Sequence, residues 1–135
     1  MYQRKIPKEY YCTVDYGLDI FGGKWKPRIL CILGHVDSMR YGELKAQMEN
    51  VSDAALADNL HELQQAGIVN RRQYNEMPIR VEYSLTAEGK SLIPVLNTIS
   101  DWAIKHSDAE IYTGKHLVLH YSVLMEFSIG TVFRL

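Results

Sequence analysis

The side chains whose types and spacing permit chemistry here are cations in short clusters and a cysteine. Lys24, Lys26 and Arg28 lie together, Arg40 and Lys45 follow, and Arg71, Arg72 and Arg80 flank the polar segment Asn75-Glu76-Met77-Pro78. Such clusters suit phosphate, which accepts both a point charge and a guanidinium fork. The total charge of −1 at pH 7 is not the overall signature of a nucleic-acid binder. Phosphate contacts, however, require only a local cationic surface. Lys24 and Lys26 open an apolar-periodic helix, where charge and backbone N–H groups act together on an anion; a solvated charged face is the plainer reading. Cys12 stands just before another helical segment, a position that can lower a thiol's pKa and let it react as thiolate. An unpaired cysteine more often packs as a small hydrophobe, and Cys31, between Leu30 and Ile32, reads as core.

No other constellation carries as much. Gly22-Gly23-Lys24 lacks the Walker spacing and a preceding strand. His116 and His120, at i and i+4, can share a metal on a helix, but no third ligand accompanies them. Without a nucleophile–base pair, zinc spacing or phosphate loop, the sequence predicts no enzyme, no cofactor and no metal site.

The elements that must position the cations are legible from periodicity. Ser52 is an N-cap, Leu56, Leu60 and Leu63 recur at helical spacing, and Gly67 stops the helix. Two β-like runs follow, residues 68–74 and 79–85, forming a hairpin in which Val81, Tyr83 and Leu85 share one face. Before Ser52 come a helix over 41–48, with Leu44 and Met48 inward, and the turn Glu49-Asn50-Val51. Residues 24–34 form a helix with Trp25, Ile29, Ile32 and Leu33 on one side and Pro27 in its first turn. Residues 13–21 form another, with Val14, Leu18 and Phe21 as its core face, and residues 38–40 are a short extended piece. Thr86 caps a last helix that Pro94 should interrupt near Ser91. Its apolar stripe of Leu92, Leu96, Ile99 and Trp102 is long enough for a dimer seam as well as a core face. The fold class predicted is mainly α with a small β-hairpin wing, a winged helix-turn-helix. The recognition helix would present Ala54, Asp58, His61, Glu62 and Gln65 outward, a face with two acids and no Lys or Arg.

The segments CTVDYGLDIFGGKWKPRIL, RYGEL, VSDAALADNLHELQQAGIV and PIRVEYSLTAEGKSLIPVL together resemble the HxlR-type transcriptional regulators, relatives of the MarR proteins. The match runs from about Tyr11 to His106, so residues 1–11 read as an N-terminal arm, 12–106 as the DNA-binding domain and 107–135 as an extension of unassigned structure. The resemblance implies a small homodimeric regulator without enzymatic activity, its N-terminal arm contributing to the dimer. It places Arg40 at the head of an Arg-aromatic-x-Glu-Leu motif, where it would anchor phosphate or brace the turn. It also sets Cys12 where some members sense oxidants or electrophiles. The chain departs from the family at the recognition helix, which lacks the usual basic or amide side chains near its start and has Ala57 in place of Thr or Ser.

Double-stranded DNA is therefore the partner expected, through Lys24, Lys26, Arg40, Lys45, Ser52, Ala54, Asp58, His61, Arg72 and Arg80, with Cys12 as a thiol sensor of a small-molecule or oxidant inducer. A length of 135 residues with 47% apolar and 23% charged residues suits one globular domain. No signal peptide or apolar run long enough to span a bilayer is present, and two cysteines fit a reducing cytoplasm. The competing reading is a winged helix that has lost sequence-specific DNA binding and pairs with proteins through its acidic helix.

Overall fold

The computed structural model describes residues 9–107. In chain order these hold α1 (Thr13–Phe21), α2 (Lys26–Leu33), β1 (Met39–Arg40), α3 (Tyr41–Met48), α4 (Asp53–Gln65), β2 (Val69–Tyr74), β3 (Arg80–Leu85), α5 (Ala87–Lys90) and α6 (Ile93–Lys105). The chain divides into two compact units between Lys90 and Ser91. Residues 1–8 and 108–135, which include most of the expected arm, His116 and His120, lie outside the described residues.

Leucine spacing builds the first unit. Leu56, Leu60 and Leu63 of α4 are buried, as are Ile29, Leu30, Ile32 and Leu33 of α2 and Leu44 and Met48 of α3. Removing such side chains from water contributes about 1.5–3 kcal/mol each, which is what holds three short helices together. Gly67 ends α4 with φ +77, the left-handed conformation that costs glycine nothing. The Ile68 N–H then donates to the Leu63 carbonyl and the Gly67 N–H to that of Gln64, a Schellman closure. Buried Leu63 and Ile68 flank it.

The sheet is antiparallel in the order β1-β3-β2. Beyond the expected hairpin, Met39 pairs with Tyr83 and Arg40 with Glu82, making the short extended piece a third strand. Tyr83 and Leu85 are buried and Val81 partly so, in keeping with the alternation. Gly89 lies so close to the sheet that a Cβ there would meet the Ile68 carbonyl oxygen at 2.3 Å. Thr86 locks this corner: its hydroxyl donates to the Gly67 carbonyl and accepts from the Gly89 N–H.

The first helix corrects the sequence reading. Val14 is 62% and Leu18 52% exposed, and of the three residues assigned to its core face only Phe21 is buried. Periodicity identified an apolar face; it did not say that this chain covers it. In the second unit α6 begins with Pro94 in its first turn, where the missing N–H costs no helical bond, so the helical path breaks at Ser91–Leu92 as Pro94 demands. Among the described residues no helix is long and apolar enough to cross a membrane.

Candidate nucleic-acid interface

The turn between α3 and α4 is held by a residue to which sequence reading gave no such part. Glu49 and Asn50 have φ of 50 and 66, a left-handed pair that reverses the chain. Arg28, from α2, donates from Nη1 to the carbonyl of Met48 at 2.8 Å. Arg28 thus braces the turn, a part considered for Arg40, while the exposed Arg40 gives its backbone N–H to Glu43 Oε1, a carboxylate cap on the start of α3.

Three polar ties then fix α4. The Ser52 hydroxyl accepts from the Ala55 N–H at 3.1 Å. Asp53 accepts from the Tyr41 hydroxyl at 3.1 Å, and Lys45 stands 3.8 Å from the same carboxylate. Burial, then the hydrogen bond and charge of Asp53, push the Tyr41 hydroxyl up to about 12. The third tie is Lys26 Nζ on Glu62 Oε1, joining α2 to the second half of α4.

That tie corrects two expectations. Lys26 is 6% exposed and paired with Glu62, so its ammonium is not presented to solvent as expected; the helix starts at Lys26, and its first side chain turns inward. Glu62 correspondingly leaves the outer face of α4. What remains exposed there is Ser52, Asp53, Ala54, Ala57, Asp58 and Gln65, with His61 half-buried.

The wing brings a further correction. Arg80, expected to reach the minor groove or the backbone, donates to Glu76 at 2.7 Å and to Glu82 at 2.8 Å. Its guanidinium lies 3.7 Å from the Tyr74 ring centroid, and its Nε is buried without a hydrogen-bond partner. Desolvation works against its charge, but the hydrogen bond to Glu76 and the charges of Glu76 and Glu82 hold its pKa above the ordinary value. Nothing in the sequence marks these carboxylates as its partners except the i,i+4 spacing of Glu76 and the i,i+2 strand position of Glu82. The Arg72 guanidinium also lies over the Tyr74 ring, 4.7 Å from its centroid. Arg71 donates to Gln73; both arginines are exposed. Lys24 is also exposed and lies 4.8 Å over Trp25. Of the cations in the clusters named above, the structure leaves Lys24, Arg40, Arg71 and Arg72 exposed, with Lys45 half-open beside Asp53.

Cys12 is exposed and immediately precedes α1. Cys31 is partly buried, and desolvation pushes its thiol up to about 12, which keeps it protonated at neutral pH. Among the four residues assigned to a dimer seam the structure separates one: Leu96 is 4% exposed, an interior side chain of the chain itself. Leu92 is partly buried, whereas Val95, Ile99 and the 64%-exposed Trp102 form the stripe that stays open. Among the described residues no group of three His, Cys, Asp or Glu could hold a metal.

A helix pair joined by a tight turn, followed by a β-hairpin to which the short strand before the pair adds a third strand, defines a winged helix-turn-helix protein. Comparison with known proteins carries this to the family. Residues 20–111 match the model of the HxlR-like helix-turn-helix family, and the chain belongs to that family of transcriptional regulators. It is 39% identical to the HTH-type transcriptional regulator YtcD of Bacillus subtilis over 87% of this chain and 91% of that one. It is 36% identical to an HTH-type transcriptional regulator of Methanothermobacter thermautotrophicus, covering 79% of this chain and 81% of the relative. Among solved structures, the redox regulator HypR in its oxidized form superposes with a TM-score of 0.67 at 33% identity, covering 73% of this chain and 100% of HypR. Members of the family regulate transcription; they are not enzymes.

Proposed function

We propose that the chain is a homodimeric, sequence-specific DNA-binding regulator whose α4 enters the major groove of each half of a pseudo-palindromic operator. The observation that carries this is the arrangement of charge around α4: Glu62 is paired internally and Asp53 is tied to Tyr41, while Lys24, Arg40, Arg71 and Arg72 remain exposed. Phosphate contacts from these cations, with Lys45, position the helix, and base edges are read by its exposed face. There Ala54 offers a methyl surface for thymine, Asp58 an acceptor for cytosine N4, and Ser52 and His61 further polar contacts. The half-sites would lie about one helical turn apart.

The second copy covers the open stripe of α6, Val95, Ile99 and Trp102. Trp102→Glu places a charge in that seam and should convert the dimer to monomer in sedimentation; a dimer unaffected by it would place the seam elsewhere. Cys12 is the thiol through which an oxidant or electrophile acts, supported by its exposure and by the likeness to HypR, itself named a redox regulator. Iodoacetamide at neutral pH should alkylate Cys12 and leave Cys31, and Cys12→Ser should abolish thiol-dependent change in DNA affinity. A mutant that still responds to oxidant removes Cys12 from the mechanism.

The deciding experiment selects a binding sequence for the full chain from a random duplex library and titrates it across salt. Sequence-dependent binding that weakens steeply with salt supports the proposal. Failure to enrich any sequence, with reduced and oxidised protein alike, would leave the protein-interaction reading, with Asp53 and Asp58 as the surface to probe.

A further inference from the structure

The paired register of the hairpin ends with Tyr74 opposite Arg80, so residues 75–79 are its apex and Met77 is the central residue. All five are exposed; Met77 is 96% and Ile79 61% exposed, with Pro78 between them. A single exposed apolar side chain is ordinary, but three in succession at an apex form a patch that adds nothing to the core. Glu76 is the one charged residue of the apex, and Arg80 neutralises it at 2.7 Å. The apex is also held in shape. The Glu76 N–H donates to the Tyr74 carbonyl at 2.9 Å, and Arg80 lies over the Tyr74 ring. The hairpin therefore ends in a firm, apolar point, with Arg71 and Arg72 exposed on the strand behind it.

That combination fits one partner best. Two or three side chains fall far short of the roughly 1,000 Å² that a specific protein interface buries. The minor groove of DNA, about 6 Å wide, admits single side chains. Proteins that kink the duplex there insert Met, Ile, Leu, Phe or Pro between base steps, and cations such as Arg71 and Arg72 can hold the backbone alongside. We propose that Met77 is an apolar wedge that enters the minor groove beside the major groove taken by α4 and opens one base step, with Pro78 and Ile79 against the sugar walls. This rests on the proposed DNA-binding function and adds to it what is read away from α4. A wedge reads deformability. Pyrimidine–purine steps unstack at the least cost, so a TA or CA/TG step is favoured, whereas a cation at the apex would favour a narrow A-tract.

The test uses the full chain and the duplexes it enriches from the random library. These should share a TA or CA/TG step at a fixed distance from the bases read by α4. A fluorescent adenine analogue placed at that step should brighten on binding as its stacking is lost, and dyes on the duplex ends should report a kink. Met77→Ala alters a side chain that packs on nothing in the chain, so the fold is kept. It should abolish the brightening and weaken binding about tenfold, the worth of burying a side chain of this size. Met77→Leu, which keeps an apolar wedge, should retain both. With the step replaced by a stiff AA step, the parent and Met77→Ala should bind alike, because the two changes remove the same interaction. A tightly bound duplex that brightens at no position, or enrichment of an A-tract beneath the wing, overturns the wedge and leaves the DNA-binding function standing. If Met77→Ala binds and unstacks the duplex as the parent does, the apex is not the wedge and its apolar surface serves another partner. Failure to enrich any sequence overturns the DNA-binding function and the wedge with it, so the two failures are told apart by whether a duplex is bound at all.

Discussion

Lys26 and Arg80 are both basic residues in a DNA-binding fold, and both are paired with acids of the same chain, yet they differ in what the pairing does. Lys26 lies between two helices, its side chain 8% and that of Glu62 19% exposed. Arg80 lies on a hairpin, 24% exposed, shared between Glu76 and Glu82 and stacked on Tyr74. The first pair replaces water around two desolvated charges and fixes one helix against another. The second arranges charge on a surface that water still reaches. A cation's presence in a basic cluster therefore says little about phosphate until its partner is known.

Breaking the inner pair should have the largest effect. Lys26→Met leaves Glu62 desolvated without a counter-charge, which costs about 2–4 kcal/mol for a pair this well buried. The expected readout is a lower urea midpoint with unchanged slope. Lys26→Met combined with Glu62→Leu should recover most of the loss, because an apolar pair of similar volume replaces a buried ion pair at little cost. A single variant as stable as the parent would show that the pair does not fasten α4.

The open cations should act on binding rather than on stability. Arg71→Ala and Arg72→Ala should each lower the salt dependence of binding to the selected duplex by about one unit of log K per log salt, with unfolding nearly unmoved. Lys26→Met, which removes an ammonium already paired with Glu62, should leave that slope unchanged even where affinity falls through a displaced α4. If all three variants change the slope alike, the distinction between inner and outer cations fails.

The contrast also marks where sequence reasoning stops. Ser52, Leu56, Leu60, Leu63 and Gly67 disclosed α4 from start to stop because caps and helical period are local properties. The hairpin was legible for the same reason. β1 was not seen as a strand, since two residues carry no period and its pairing depends on Tyr83 and Glu82 far along the chain. Val14 and Leu18 had the right spacing, but spacing reveals an apolar face and not what lies against it. The carboxylate partners of Lys26 and Arg80 are not legible in the same way: a cluster of cations is visible in sequence, whereas Glu62, 36 residues from Lys26, is brought to it only by the fold.

Releasing the wing's arginine is a finer test. Glu82 accepts from Arg80 and from Ser38, so Glu82→Gln keeps the shape and an acceptor while removing one negative charge from beside Arg72 and Arg80. DNA affinity at low salt should rise about two- to fivefold, the scale of a partly screened surface charge, and the gain should fade as salt shortens the screening length. A loss of affinity would mean that Glu82 matters for holding the wing's shape rather than for setting its charge.

Arg80→Ala should be the mildest change. A partly exposed pair contributes little, and stacking on Tyr74 adds a little more at a solvent-exposed site. Against this, the variant removes a buried Nε that has no partner, which offsets part of the loss. The urea midpoint should therefore move little, and the salt slope of DNA binding should stay within error of the parent. The slope is the decisive quantity. If it drops by a full unit, Arg80 leaves Glu76 and Glu82 for a phosphate when DNA is present, and the hairpin's ion pairs are a store of charge that binding draws on. If it does not, the wing's contribution to the operator comes from Arg71 and Arg72, and Arg80 serves to hold the strands that carry them.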